Sequence, residues 1–186
     1  MRKTIHLSGF FVPLIFAPIF NVYLLSAALL LICVVYATSE VARSRGINFP
    51  VFSVVTRKAA KTVLEINSFA VAPVTFALGI VFALLLFPPP IAYASIAVLT
   101  LGDGFACVFG VIFGKTPLFY NRNKTVEGFI CGFVFAFLGS ILFVNPVNAL
   151  IAVGVGMTVE SIPFPIEDNL LIPLSSGMAL MFFSFL

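Results

Sequence analysis

A chain of 186 residues that is 61% hydrophobic and 9% charged, with a mean hydropathy of +1.20, lies far outside the range of soluble globular domains. Its formal net charge of +3 comes without an exposed basic stripe or a soluble module to present one, which excludes a nucleic-acid-binding role. What fits is an integral membrane protein: at about 20 residues per span there is room for about seven helices, expected as one all-α polytopic bundle over residues 1–186 with its site between helices.

Met1-Arg2-Lys3 and the apolar run behind it resemble a signal peptide, but no small-x-small cleavage site follows. The run Leu7–Phe20 therefore reads as a retained first helix, in which Pro13 and Pro18 predict a kink. Apolar runs bounded by turn residues predict further helices over Val22–Thr38, Ile66–Phe87, Ile91–Phe113, Val126–Val144, Val147–Val159 and Leu170–Leu186. The sixth is short and contains Gly154 and Gly156, as expected of a kinked, tilted or partial span covered by its neighbours. The stretch from Glu40 to Glu65 is the longest polar connection. Its middle, Phe49 to Lys58, mixes apolar and basic residues in the manner of an interfacial segment, with Arg57, Lys58 and Lys61 near anionic headgroups or a nucleotide. Cys33, Cys107 and Cys131 are odd in number, lack metal-ligand spacing and read as small buried hydrophobes.

Every Lys and Arg falls at the N-terminus, between Arg43 and Lys61, or between Lys115 and Lys124. These are alternate connections of a seven-helix chain, and the opposite connections at Asn21, Pro88-Pro89-Pro90 and Asn145-Pro146 carry no charge. The positive-inside rule then puts the N-terminus in the cytosol and the C-terminus outside. The same parity brings Glu127, Glu160, Glu167 and Asp168 to the face that holds Lys115, Arg122 and Lys124, with Asp103 pointing toward it from within. A cluster of both signs on one face suits a polyanionic, metal-bound cytosolic substrate, although solvated loops that only fix topology give a similar pattern.

Asp103 is the most informative residue, because an ionised carboxylate inside an apolar run is costly and marks a functional site by default. Gly102 and Gly104 leave room beside it for a metal ion, and one or two carboxylates plus substrate phosphates is the usual way proteins hold Mg²⁺. Behind it, Thr125 suits the N-cap of the fifth helix, with Glu127 and Gly128 in its first turn. Free amides there, with Lys124 beside them, form a phosphate cradle that Gly128 lets a ligand approach. Two nearby patterns are decoys. Gly110 to Gly114-Lys115-Thr116 approximates a Walker A loop but has three residues between its glycines where that motif has four, and no strand precedes it. Gly110 and Gly114 also spell GxxxG, which serves close helix packing or substrate approach. Asn123-Lys124-Thr125 is formally a glycosylation sequon, placed by the topology in the cytosol. Asp168-Asn169 stands at the mouth of the last helix, where Asp168 is either an N-cap or part of the site.

Taken in order, Arg2-Lys3-x-x-His6, Asp103-Gly104-x-Ala106-x-x-x-Gly110-x-x-x-Gly114-Lys115, Lys124-Thr125-x-Glu127-Gly128, Glu160 and Asp168-Asn169-Leu170-x-x-Pro173-Leu174 resemble the CTP-dependent polyprenol kinase family. That family includes dolichol kinase, phytol kinase and the fungal-type diacylglycerol kinase. The resemblance implies transfer of the γ-phosphoryl group of CTP to a lipid alcohol, assisted by Mg²⁺ or another divalent cation. It implies Asp103 for metal and phosphate, Glu127 for the metal or for placement of the nucleotide, and Lys115 and Lys124 for phosphate charge. Thr125 and Gly128 form the helix-end cradle, with Gly104, Gly110, Gly114, Asn169 and His6 around the nucleotide. Asp168, Glu160 and Asp103 are all candidates for the group that takes the hydroxyl proton, and His6 is alternatively a plain interfacial side chain. The expected setting is a multi-pass protein of the cell membrane in a prokaryote, or of the endoplasmic reticulum in a eukaryote, with its site facing the cytosol. A cytidylyltransferase, which would release pyrophosphate and form a CDP-lipid, is the near rival. A small ion-coupled transporter is the distant one, with no inverted repeat to support it.

Overall fold

The computed structural model describes residues 6–45, 47 and 69–184. Arg2, Lys3 and the interfacial segment expected at residues 49–58, with Lys61, lie outside the described residues.

Among the described residues, seven helices follow the seven apolar runs: α1 (His6–Ile19), α2 (Val22–Ser44), α3 (Ala72–Leu86), α4 (Pro89–Phe113), α5 (Val126–Ser140), α6 (Pro146–Ser161) and α7 (Asp168–Ser184). Of these, α2 over Val22–Arg43 and α4 are long and apolar enough to cross a bilayer, and the others are shorter apolar helices. Breaks fall where the chemistry dictates. Asn21 caps α2 by accepting the Tyr23 amide at 2.8 Å. Pro89 and Pro90 open α4, where a missing N–H costs nothing, and Asn145 with Pro146 opens α6 in the same way. The kink expected at Pro13 takes the form of a π-helical turn over Val12–Phe16. In contrast, α6 runs unbroken through Gly154 and Gly156.

Three features depart from the sequence reading. First, α2 continues past Thr38 to Ser44 because Glu40, fully buried, pairs with Arg43 at 2.8 Å and accepts the Ala70 amide at 3.2 Å, tying α2 to the chain entering α3. Second, the protein is not purely α-helical. A small antiparallel hairpin, β1 (Pro117–Leu118) and β2 (Asn121–Thr125), joins α4 to α5. Third, α4 is widened by a π turn over Val98–Asp103. There the Thr100 hydroxyl donates to the Ile96 carbonyl at 2.7 Å, a back-bond that bends helices. The inserted residue sets Asp103 at the end of the turn, the kind of irregularity that recurs at functional sites.

The core is built on small residues. Where α4 crosses α5, a Cβ on Gly132 would lie 2.6 Å from the Gly102 carbonyl oxygen and 2.7 Å from both Ala106 Cβ and Met157 Cε. A Cβ on Gly128 would stand 2.6 Å from the Ala106 carbonyl and 3.0 Å from Gly110 Cα. Of the two roles open to GxxxG, the structure displays close packing at Gly110 and Gly114, each against Thr125. Gly132→Ala is therefore expected to destabilise the assembly by about 1–3 kcal/mol, since backbone and a buried methyl must give way. Gly154→Ala, where nothing lies within 4 Å, should be neutral or gain up to about 1 kcal/mol of helix propensity. Thermal unfolding of the two variants side by side checks the contrast.

Candidate active site

One end of the helix set gathers the polar residues. The N-terminus of α7 meets that of α3 through Asn169, whose side-chain amide donates to the Ala72 carbonyl at 3.1 Å and to Thr75 Oγ1 at 3.2 Å. The end of α6 meets α7 and β2 through Lys124. The end of α4 meets the start of α5 through Glu127. Between them lies a cavity of about 280 Å³, lined by His6, Asp103, Gly104, Ala106, Cys107, Gly110, Val111, Asn123, Lys124, Thr125, Gly128, Phe129, Glu160 and Asp168.

Lys124 is the electrostatic hub of this cavity. Its ammonium lies 2.8 Å from Glu160 Oε1 and 2.9 Å from Asp168 Oδ2, and it also donates to the backbone carbonyl of Glu160. Burial works to lower the Lys124 pKa, but the charges and hydrogen bonds of Glu160 and Asp168 outweigh it and hold the pKa above its ordinary value. The ammonium therefore stays charged throughout the neutral range. Asp168 is the first residue of α7, and its carboxylate reaches across to Lys124 on β2.

Asp103 occupies another part of the cavity wall. Its Oδ2 lies 3.1 Å from Nδ1 of His6, close but off hydrogen-bonding alignment, and the imidazole rests on Phe76 with ring centroids 4.4 Å apart. Thr125 caps α5 as expected, its hydroxyl oxygen accepting the Gly128 amide at 3.2 Å. The first turn of α5, with Lys124 just before its cap, thus borders the cavity. Among the described residues no three His, Cys, Asp or Glu side chains converge on one point. An ion held here would take one carboxylate from the protein, Asp103, and most of its other ligands from substrate phosphates and water.

Comparison with known proteins decides what this arrangement is related to. No family model matches the chain, and no solved structure matches it. Curated proteins do. The chain is 32% identical over 126 residues to phytol kinase 1, chloroplastic, of Arabidopsis thaliana, covering 58% of this chain and 41% of that protein. It is 33% identical over 106 residues to farnesol kinase, chloroplastic, of the same plant, covering 48% and 34%, and 30% identical over 132 residues to probable phytol kinase 1 of Glycine max, covering 61% and 43%. The chain is thus similar, over about half to three fifths of its length, to plant proteins named phytol kinase and farnesol kinase. It spans less than half the length of the curated relatives it matches.

The residues singled out from sequence fall into two groups. His6, Asp103, Gly104, Gly110, Lys124, Thr125, Gly128, Glu160 and Asp168 line the one cavity. Gly114, Lys115, Glu127 and Asn169 do not. Glu127 is turned to the connection after α4, where its carboxylate accepts the Lys115 amide at 3.1 Å, the Thr116 amide at 3.2 Å and the Thr116 hydroxyl at 2.9 Å. In this geometry it clasps the base of the hairpin and leaves the cavity to other carboxylates. Lys115 contributes its backbone to that clasp while its side chain stands exposed. Asn169 is buried and fastens α7 to α3. The three cysteines are free thiols. Cys33 is buried as expected, whereas Cys107 and Cys131 are partly exposed and Cys107 faces the cavity. Ser161 was missing from the sequence reading: its hydroxyl accepts from Tyr120 Oη and its carbonyl from Asn121 Nδ2, both at 2.9 Å, which docks the hairpin carrying Lys124 onto α6. No motif announces such a residue, since its partners lie 40 and 41 positions away.

Proposed function

We propose that the chain is a CTP-dependent lipid-alcohol kinase that phosphorylates an isoprenoid alcohol of the phytol or farnesol class. The observation that carries this reading is the meeting of Asp103, Lys124, Glu160 and Asp168 around one cavity beside the capped N-terminus of α5. The names of the phytol and farnesol kinases support the class of acceptor, and the motif resemblance supports CTP as donor. All seven helices cross the membrane in this reading, with the shorter ones tilted or covered by neighbours and the cavity open to the cytosol. The alternation of charged and uncharged connections supports that orientation. The many exposed apolar side chains along the helices, among them Leu24, Leu31, Ile32, Leu86, Val134, Leu138 and Phe182, supply a lipid-facing surface.

In the reaction, the oxygen of the lipid hydroxyl forms a bond to the γ-phosphorus of CTP, the bond from that phosphorus to the β-phosphate oxygen breaks, and CDP leaves. The hydroxyl proton passes to one of the cavity carboxylates. Asp103 is the residue that would hold a divalent ion such as Mg²⁺, which would supply charge neutralisation on the phosphates. Lys124 sits between two carboxylates, so a phosphate that enters the cavity competes with them for a preformed cation. Thr125 holds the first turn of α5 in place for an anion. Phosphoryl transfer asks of the protein mainly positioning and compensation of charge, which these fixed groups provide.

A product assay with labelled CTP, Mg²⁺ and a panel of lipid alcohols tests the proposal. CDP and a phosphorylated prenol are expected, with ATP a poor donor. Pyrophosphate and a CDP-lipid would identify a cytidylyltransferase instead, and equal use of ATP would remove the CTP assignment.

A further inference from the structure

The hairpin between α4 and α5 presents an aromatic tip that the catalytic reading does not use. Phe119 is 93% exposed and Tyr120 43%, their rings meeting edge to face with centroids 4.7 Å apart. A lone exposed phenylalanine needs no explanation, but this one is held out on a braced support. Glu127 clasps Lys115 and Thr116 at the base of the hairpin, the Val126 amide donates to the Thr116 carbonyl at 2.9 Å, and Tyr120 and Asn121 are bonded to Ser161. An aromatic tip on a braced hairpin loses little conformational freedom when a partner covers it.

Position and charge identify that partner. The tip docks on Ser161, the last residue of α6, so it lies level with the helix ends. The surface leading to it along α4 is apolar and exposed, with Ile112 at 62% and Phe113 at 56%. Lys115 and Arg122, both exposed, flank the tip on either arm. Aromatic rings beside basic residues, at the end of a spanning helix, are the chemistry of the bilayer interface, where rings enter the headgroup layer and cations meet lipid phosphates. We propose that the hairpin tip is an interfacial anchor that seats Phe119 in the phospholipid headgroup layer and so fixes the height of β2, and with it Lys124, relative to the membrane surface. This rests on the membrane-embedded reading above.

The chain contains no tryptophan, so Phe119→Trp gives it a single reporter. It is reconstituted in vesicles of phosphatidylcholine and phosphatidylglycerol, with and without lipids brominated near the headgroup end of the acyl chains. A blue-shifted emission that loses intensity in the brominated vesicles is the expected result. Leu31→Trp, an exposed position in the middle of α2, is measured in parallel with lipids brominated near the chain ends. If Leu31→Trp is quenched while Phe119→Trp emits as in water and ignores bromine, the anchor is overturned and the membrane reading stands. If neither is quenched, the membrane reading itself has failed and the anchor with it. Quenching of Phe119→Trp by added CTP without any response to bromolipid would mark the tip as a base-stacking surface and also overturn the anchor.

Discussion

Asp103→Asn is expected to abolish most phosphoryl transfer while leaving the helices assembled. The substitution keeps side-chain size and the short approach to His6, 3.1 Å in the native pair, but removes the charge that would hold a divalent ion against the nucleotide phosphates. Losing a metal clamp costs several kcal/mol of transition-state stabilisation, and a loss of about 3 kcal/mol reads as roughly a hundredfold fall in turnover. Asp103→Glu should also be poor, because the carboxylate sits at the end of a π turn whose register sets its position, and the added methylene moves it within a site that works by positioning. Turnover at saturating CTP and Mg²⁺, with thermal unfolding as the control on folding, checks both variants. Near-normal turnover of Asp103→Asn would reduce Asp103 to a structural polar residue and remove the centre of the catalytic reading.

The helices were legible because their signals are local. Apolar runs and the turn residues that bound them suffice to place the starts of α4, α5, α6 and α7 within two residues, whereas α3 begins at Ala72 and not at Ile66. The hairpin was not legible. Asn121-Arg122-Asn123-Lys124-Thr125 lacks both the alternation and the branched or aromatic content of a strand, and it is held instead by Ser161 and Glu127 through contacts distant in sequence. The same limit governed the site. Asp103, Lys124 and Thr125, which the fold brings to one cavity, stand out in the sequence because each is chemically conspicuous in its surroundings: a carboxylate in an apolar helix, a lysine before a cap, a cap before a glycine. Glu127 and Asn169 are equally polar and stand beside those residues in sequence, yet they bind backbone groups of the protein. Only the direction of the side chain separates a ligand from a clasp, and direction is set by the fold.

Lys124→Ala should carry the second large effect, and it acts on two quantities at once. Glu160 is 4% exposed, and its carboxylate faces the Lys124 ammonium at 2.8 Å. Removing the cation leaves that carboxylate buried and uncompensated, which costs about 3 kcal/mol of stability, near the low end for a broken buried pair because Lys124 and Asp168 both keep some contact with water. Activity should fall as well, through weaker binding of CTP and lost phosphate compensation, with Asp103 left in place. Stability and catalysis can be separated by a second change. Lys124→Ala combined with Glu160→Gln removes cation and carboxylate together, so the melting temperature should recover most of the way to that of the native protein. Turnover should not recover, because neither change restores a positive charge beside the first turn of α5. A double variant that regained both would show Lys124 to be a structural counter-ion for Glu160 alone, and the phosphate role would pass to other residues of the cavity wall.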